Sequence, residues 1–224
     1  MKITDFKDLV RHMPYLEQAF KIKKEIWFPE DEEKRFKFQN DKIKEIFGDE
    51  DSIMISRGDL LKDAGELKLF VIKVIMWGYP TKGRGKNIEN ILNPKNFNRL
   101  IEQLQIHIER KNINLEEIEE LLRIPGLGLS TLSKILYFKK LKIESKLAMI
   151  LDQRVINSIN TETRFEDPNI EQFCDLKYEN GLNYYLQYLA FLKELATQMN
   201  AQPDQVEMFL FVFGTTLKKT IGMS

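Results

Sequence analysis

Among 224 residues the chain has one cysteine, Cys174, and two histidines, His12 and His107. A lone cysteine excludes an intramolecular disulfide and a four-cysteine iron–sulfur cluster. Two scattered histidines make no persuasive metal site, so no metal is expected. Net charge is missing too: 34 Lys and Arg balance 34 Asp and Glu. A polyanion binder with no overall positive charge must act through local patterning. No apolar run is long enough to cross a bilayer, and Met1-Lys-Ile-Thr-Asp-Phe6 is too polar for a signal segment. The expected chain is cytoplasmic, monomeric and without a membrane partner. Internal repeats and low-complexity tracts are absent.

What is present is mostly helical periodicity, in a length that suits one compact unit or two small lobes. Residues 5–24 read as a helix with Leu9, Met13, Leu16 and Phe20 on one side, interrupted at Pro14. Residues 41–47 predict a short helix, 97–111 an amphipathic one, 181–200 a long one and 204–215 a closing apolar one. The run 66–76 fits either a buried strand or a core helix, and 171–174 reads as short and irregular. Polar breaks fall near 157–169 and 78–85. Charge is polarised: Pro29-Glu-Asp-Glu-Glu33 and Gly48-Asp-Glu-Asp51 are acidic, whereas Lys82-Gly-Arg-Gly-Lys86 and residues 134–146 are basic.

The densest chemical signal is Arg123-Ile-Pro-Gly-Leu-Gly-Leu-Ser-Thr-Leu-Ser-Lys134. A helix with Leu115, Ile118, Leu121 and Leu122 on one face precedes it. Asn114 suits its cap and four glutamates suit its positive end. Pro125 stops that helix, and Gly126 and Gly128 permit a tight turn into a second one. A Gly-x-Gly turn before a helix aims several N–H groups one way, which makes an anion site that holds a nucleic-acid phosphate without reading bases. Gly126, Leu127, Gly128, Ser130 and Thr131 are the candidate phosphate contacts, backed by Lys134, Lys139, Lys140 and Lys142. The plainer alternative is a turn joining two helices. Downstream, Asp152 follows the apolar run Leu147-Ala-Met-Ile-Leu151. It suits a helix cap and equally a carboxylate facing a substrate; the two roles are compatible.

Ile124-Pro-Gly-Leu-Gly-Leu-Ser-Thr131 with Ile135-Leu136 resembles the hairpin of the helix-hairpin-helix DNA glycosylase superfamily. That superfamily includes the 8-oxoguanine, adenine, thymine-glycol and alkylpurine glycosylases. Ile150-Leu-Asp-Gln-Arg-Val155 resembles the segment bearing its catalytic aspartate, here 24 residues after Gly128. The resemblance is specific over residues 115–157. It implies an all-α, two-lobed helix-hairpin-helix DNA glycosylase fold, with a hairpin lobe near 90–157, residues 1–89 and 158–224 forming the rest, and a cleft between lobes. It implies Asp152 as the carboxylate that stabilises an oxocarbenium ion and orients water. Members that also nick the strand carry a lysine two residues after the second hairpin glycine. This chain has Ser130 there, as adenine glycosylases do, which implies base removal without strand cleavage. Lys134, one turn further on, reads as a phosphate contact or solvated position ahead of a nucleophile.

The implied partner is double-stranded DNA with a flipped base, in base excision repair. 8-Oxoguanine is favoured, because the D-x-R-V form and Lys134-Ile-Leu-Tyr-Phe138 resemble archaeal-type 8-oxoguanine glycosylases. No cofactor is implied, although a monovalent cation at the hairpin stays open. By the same resemblance the loop Met76-Trp-Gly-Tyr-Pro-Thr-Lys-Gly-Arg-Gly-Lys-Asn87 enters DNA, with Tyr79, Lys82, Arg84 and Lys86 as contacts. Trp77 either lines the base pocket or belongs to the core. Gln205 and Phe209 stand one turn apart, like the amide and aromatic of 8-oxoguanine pockets. Glu207 is a further pocket candidate, or a solvent-facing or ion-paired one. The competing readings are a catalytically silent DNA-binding module and a phage-defence component acting on modified nucleic acid or nucleotides.

Overall fold

The computed structural model describes residues 1–83, 85–160 and 165–217. Along the chain run α1 (Lys7–Arg11), β1 (Ala19–Lys23), α2 (Lys24–Trp27), α3 (Asn40–Phe47), β2 (Ser52–Ser56) and α4 (Arg57–Lys62). Then come α5 (Leu67–Gly78), α6 (Asn87–Leu92), α7 (Pro94–Arg110), β3 (Asn112–Ile113), α8 (Leu115–Leu122), α9 (Leu129–Phe138) and β4 (Lys142–Ile143). The chain continues with α10 (Gln153–Ile159), α11 (Tyr185–Met199) and α12 (Pro203–Phe213). The fold is dominated by α-helix. Among the described residues no helix is long and apolar enough to cross a membrane.

Two compact units divide the chain. One is residues 16–145, and the other joins 1–15 to 146–224. The hairpin therefore belongs to the first unit and Asp152 to the second, whereas the sequence reading grouped both within 90–157.

In the unit 16–145 the core is α5, where Phe70, Val71, Ile72, Val74, Ile75, Met76 and Trp77 are all buried. The ambiguous apolar run is thus a core helix, buried over most of its surface, with Lys68 and Lys73 on its part-exposed side. One sequence expectation fails here. Residues 19–23 are a strand, not the end of a helix, and pair antiparallel with β2 from Ala19↔Ser56 to Lys23↔Ser52. The alternation Phe20-Lys-Ile-Lys23 has the period of two that a half-buried strand requires, with Ile22 fully buried and Lys21 and Lys23 exposed. The parallel pairing of β3 with β4 (Asn112↔Lys142, Ile113↔Ile143) closes the two open ends of α8 and α9. The helical hairpin is thereby clasped at its base.

In the unit 1–15 with 146–217, Asp167 accepts the backbone N–H groups of Ile3 (2.5 Å) and Thr4 (3.3 Å). This buried carboxylate binds the first residues of the chain to the last third. Phe209 lies at the centre, with ring centroids 5.3 Å from Phe6 and 5.7 Å from Phe213. Ser158 of α10 donates to the Leu210 carbonyl of α12 at 2.9 Å, and a Cβ on Gly214 would lie 2.2 Å from its Oγ. The helices meet at near-backbone separation.

Candidate functional site

The hairpin begins with a capping box. Asn114 Oδ1 accepts from Glu117 N at 2.8 Å, and Glu117 Oε2 accepts from Asn114 N at 3.0 Å. Glu117 also takes Arg110 Nη2 at 2.6 Å. The same nitrogen donates to His107 Nδ1 at 2.7 Å, so the end of α7 is locked to the start of α8. After α8, Leu127 N donates to the Ile124 carbonyl at 3.0 Å. Gly126 takes φ +87°, and a Cβ there would sit 2.2 Å from the Asn87 carbonyl oxygen. Only glycine meets both demands. Gly128 caps α9, whose first N–H groups lack intrahelical acceptors by geometry.

These contacts redistribute the candidate phosphate ligands. The Leu127 N–H is spent within the turn, which leaves Gly126, Gly128 and the start of α9 as the backbone donors. Thr131 Oγ1 is 3.0 Å from the Tyr79 hydroxyl, and Ser130 Oγ accepts from Lys134 Nζ at 2.8 Å. Both side chains thus make contacts within the unit. Every residue of α9 is buried, so Lys134, the lysine within that helix, is withdrawn from solvent. Lys134 is 5 % exposed, not a solvated position. Its stem packs near Gly78, whose added Cβ would meet Lys134 Cδ at 3.1 Å. Lys139 lies 3.6 Å from the Phe70 ring centroid, and burial lowers its pKa. Only Lys140 and Lys142 of this group are exposed.

Asp152 is the N-cap of α10, with φ −115° and ψ 174°. Its Oδ1 accepts from Arg154 N (3.0 Å) and Val155 N (3.2 Å). The residue is half-buried, at the end of the buried stretch 148–151.

A family model described as "Putative 8-oxoguanine DNA glycosylase OGG-like protein" matches residues 14–211. The chain belongs to that family. No curated protein and no solved structure matches it. Among the described residues no group of three or more His, Cys, Asp or Glu side chains could hold a metal ion.

The OGG-like chain distributes its other sequence candidates as follows. Trp77 is a core residue, 3 % exposed, packed edge-on against Phe20 and Phe138, with Nε1 donating to the Gln18 carbonyl at 3.3 Å. Lys82 lies 4.0 Å over the Phe36 ring and donates to the Lys34 carbonyl at 3.0 Å; burial lowers its pKa. Lys86 is exposed, and Arg84 lies outside the described residues. Gln205 completes a capping box with Gln202 and donates to the Arg11 carbonyl at 2.6 Å. Phe209 is fully buried in an aromatic cluster. Glu207 is fully buried, which corrects its solvent-facing reading.

The structure gives three residues or pairs a place that the sequence did not assign them. Arg57 is 1 % exposed, with its guanidinium 5.6 Å from the Trp77 ring and 5.4 Å from that of Tyr137. Its neighbours Ser56 and Asp59 form a capping box, and that local signal gives no hint of burial. His107 occupies the apolar face of α7, where the spacing from Leu100 and Leu104 was the available cue. Tyr185 and Tyr188 lie one turn apart at the start of α11, and the i, i+3 spacing of two phenols was legible.

Proposed function

We propose that the protein is a DNA N-glycosylase that removes a damaged purine, 8-oxoguanine first, from a duplex by base flipping. The observation that carries this reading is the half-buried Asp152 carboxylate at the head of α10, in an OGG-like chain. The hairpin donors hold a phosphate without reading sequence. As the C1′–N9 bond breaks, the electron pair leaves with the base and positive charge grows on the sugar. Asp152 stabilises that charge and accepts a proton from water as its oxygen bonds C1′. The departing base takes up a proton from solvent and Asp152 returns its own to solvent, so that the products are the neutral free base and an abasic site. No side chain becomes covalently attached, in keeping with Ser130 at the position where strand-nicking relatives carry lysine.

One observation favours a second reading. Side chains on a helix lean toward its N-terminus, and Lys134 Nζ accordingly reaches Ser130 Oγ, at 2.8 Å. A neutral amine arriving there from the next turn would attack C1′ and expel the base, after which loss of an amine proton to O4′ and opening of the C1′–O4′ bond would leave a Schiff base. Borohydride trapping separates the two readings: hydrolysis leaves no covalent adduct, whereas the lysine route leaves one.

The central test is base release from a duplex with a single 8-oxoguanine, followed by alkali to break abasic sites. Asp152→Asn abolishes release while keeping duplex affinity and the cap, because Asn caps as well as Asp; Asp152→Ala also loses about 1 kcal/mol of stability. Full release by Asp152→Asn removes Asp152 from the mechanism. Tight duplex binding with no release across a panel of lesions leaves a DNA-binding module.

A further inference from the structure

Residues 148–152 have neither helix nor ladder hydrogen bonding, yet Ala148, Met149, Ile150 and Leu151 are at most 5 % exposed. Buried carbonyls outside a ladder need other partners. Two consecutive ones find them on α11. The Tyr185 hydroxyl donates to the Met149 carbonyl at 2.6 Å, and the Tyr188 hydroxyl to the Ile150 carbonyl at 2.6 Å. The two tyrosines share a helix face through i, i+3 spacing. Their rings are near-parallel, 14° apart with centroids at 6.3 Å, and both are fully buried. Burial pushes the Tyr185 phenol above its ordinary pKa, so this hydroxyl keeps its proton.

We propose that Tyr185 and Tyr188 are positioning residues for the Asp152 carboxylate, acting through the Met149 and Ile150 carbonyls just before it. The inference rests on the reading of Asp152 as the glycosylase carboxylate. Downstream, Asp152 is held by α10, which Ser158 ties to α12. Upstream, the two phenols supply the matching restraint. Fixing the chain on both sides of the residue fixes where its carboxylate lies, and charge stabilisation depends steeply on that placement.

The test is Tyr185→Phe and Tyr188→Phe, singly and together. Each substitution keeps the ring and its packing while deleting the donor. The reads are single-turnover release from an 8-oxoguanine duplex, duplex affinity, and the amide resonances of Arg154 and Val155, whose N–H groups report the carboxylate directly. Each single variant slows release about tenfold, with affinity changed less than about twofold and both amides shifted. Asp167→Asn is the control, because it weakens a buried anchor of the same unit. It lowers the melting temperature but leaves the release rate and the two amides as in the wild type. Wild-type rates and unmoved amides in the tyrosine variants overturn the proposal, as does an equal loss of rate in Asp167→Asn. Failure of the underlying reading shows elsewhere: Asp152→Asn would keep releasing base, and the proposal would fall with it.

Discussion

Gly126→Ala is the sharpest perturbation of the hairpin, because two independent costs meet at one atom. The backbone at φ +87° is left-handed, which costs an L-residue about 1–2 kcal/mol. The new Cβ would also stand 2.2 Å from the Asn87 carbonyl oxygen and 3.0 Å from both its carbon and Asn90 Cβ. Real contacts of this kind stay beyond about 3 Å, so the turn or the start of α6 must retreat. Such overpacking costs about 1–3 kcal/mol. Gly85 isolates the first cost: its φ is +72°, yet an added Cβ meets nothing within 4 Å. Gly85→Ala should therefore cost about 1 kcal/mol and Gly126→Ala about 3. For a chain of this size that is a fall in melting temperature of about 2–4 °C against about 6–12 °C. Thermal unfolding by circular dichroism reads both. Equal losses in the two variants would refute the close approach of Asn87 as the reason for Gly126. Duplex affinity measured well below the transition should fall for Gly126→Ala, since the displaced turn is the proposed phosphate grip.

Two further outcomes follow from charge. Arg110 only donates, so His107 Nδ1 accepts, and the proton sits on a buried Nε2 with no hydrogen-bond partner among the described residues. Burial first, and Arg110 as well, lower the His107 pKa from 6.5 against the pull of Glu117. The folded state then binds fewer protons than the unfolded one, so this stability is present above pH 6.5 and is lost as pH falls through the folded value. Melting temperature should drop on acidification below pH 6.5, and His107→Gln should flatten that limb; an unchanged slope would remove His107 as its cause. With few exposed lysines near the hairpin, log Kd for duplex should change shallowly with log salt, by about 1–3 units per decade for one to three phosphates at about 0.9 each. A slope near 8 would place the main contacts elsewhere.

The legible parts of the sequence were those whose physics is local. Caps, Pro125 and the glycines marked α8, the turn and α9 within a residue or two, and Asp152 stood one residue before the helix expected near Gln153. β1 was not legible from one window. Leu9, Met13, Leu16 and Phe20 keep helical spacing up to the strand, and its partner Ser52–Ser56 lies more than a helix away in sequence. Pairing at that distance leaves only the weak alternation of Phe20 and Ile22 as a trace. Lys134 and Lys139 misled for a different reason. A basic run reads as a solvated face, but a lysine stem can be buried if its head finds acceptors or a ring. Ser130 and Phe70 supply these for Lys134 and Lys139, and neither partner can be assigned from spacing.

The burial of α9 has a consequence for how the molecule can hold DNA. A helix covered on every side offers no charged face, and the side chains of Ser130 and Thr131 already make contacts within the unit. What remains at the hairpin is backbone: Gly126, Gly128 and the first N–H groups of α9. Such donors are indifferent to base identity and barely perturbed by salt compared with a lysine field. They are also as rigid as the turn that carries them, which the Asn87 approach and the β3–β4 clasp immobilise. A chain with zero net charge can therefore grip a polyanion at one point without attracting it everywhere. Specificity must then come from elsewhere in the chain. On the proposed reading, the hairpin holds the duplex by its backbone alone, and the choice of base falls to other residues.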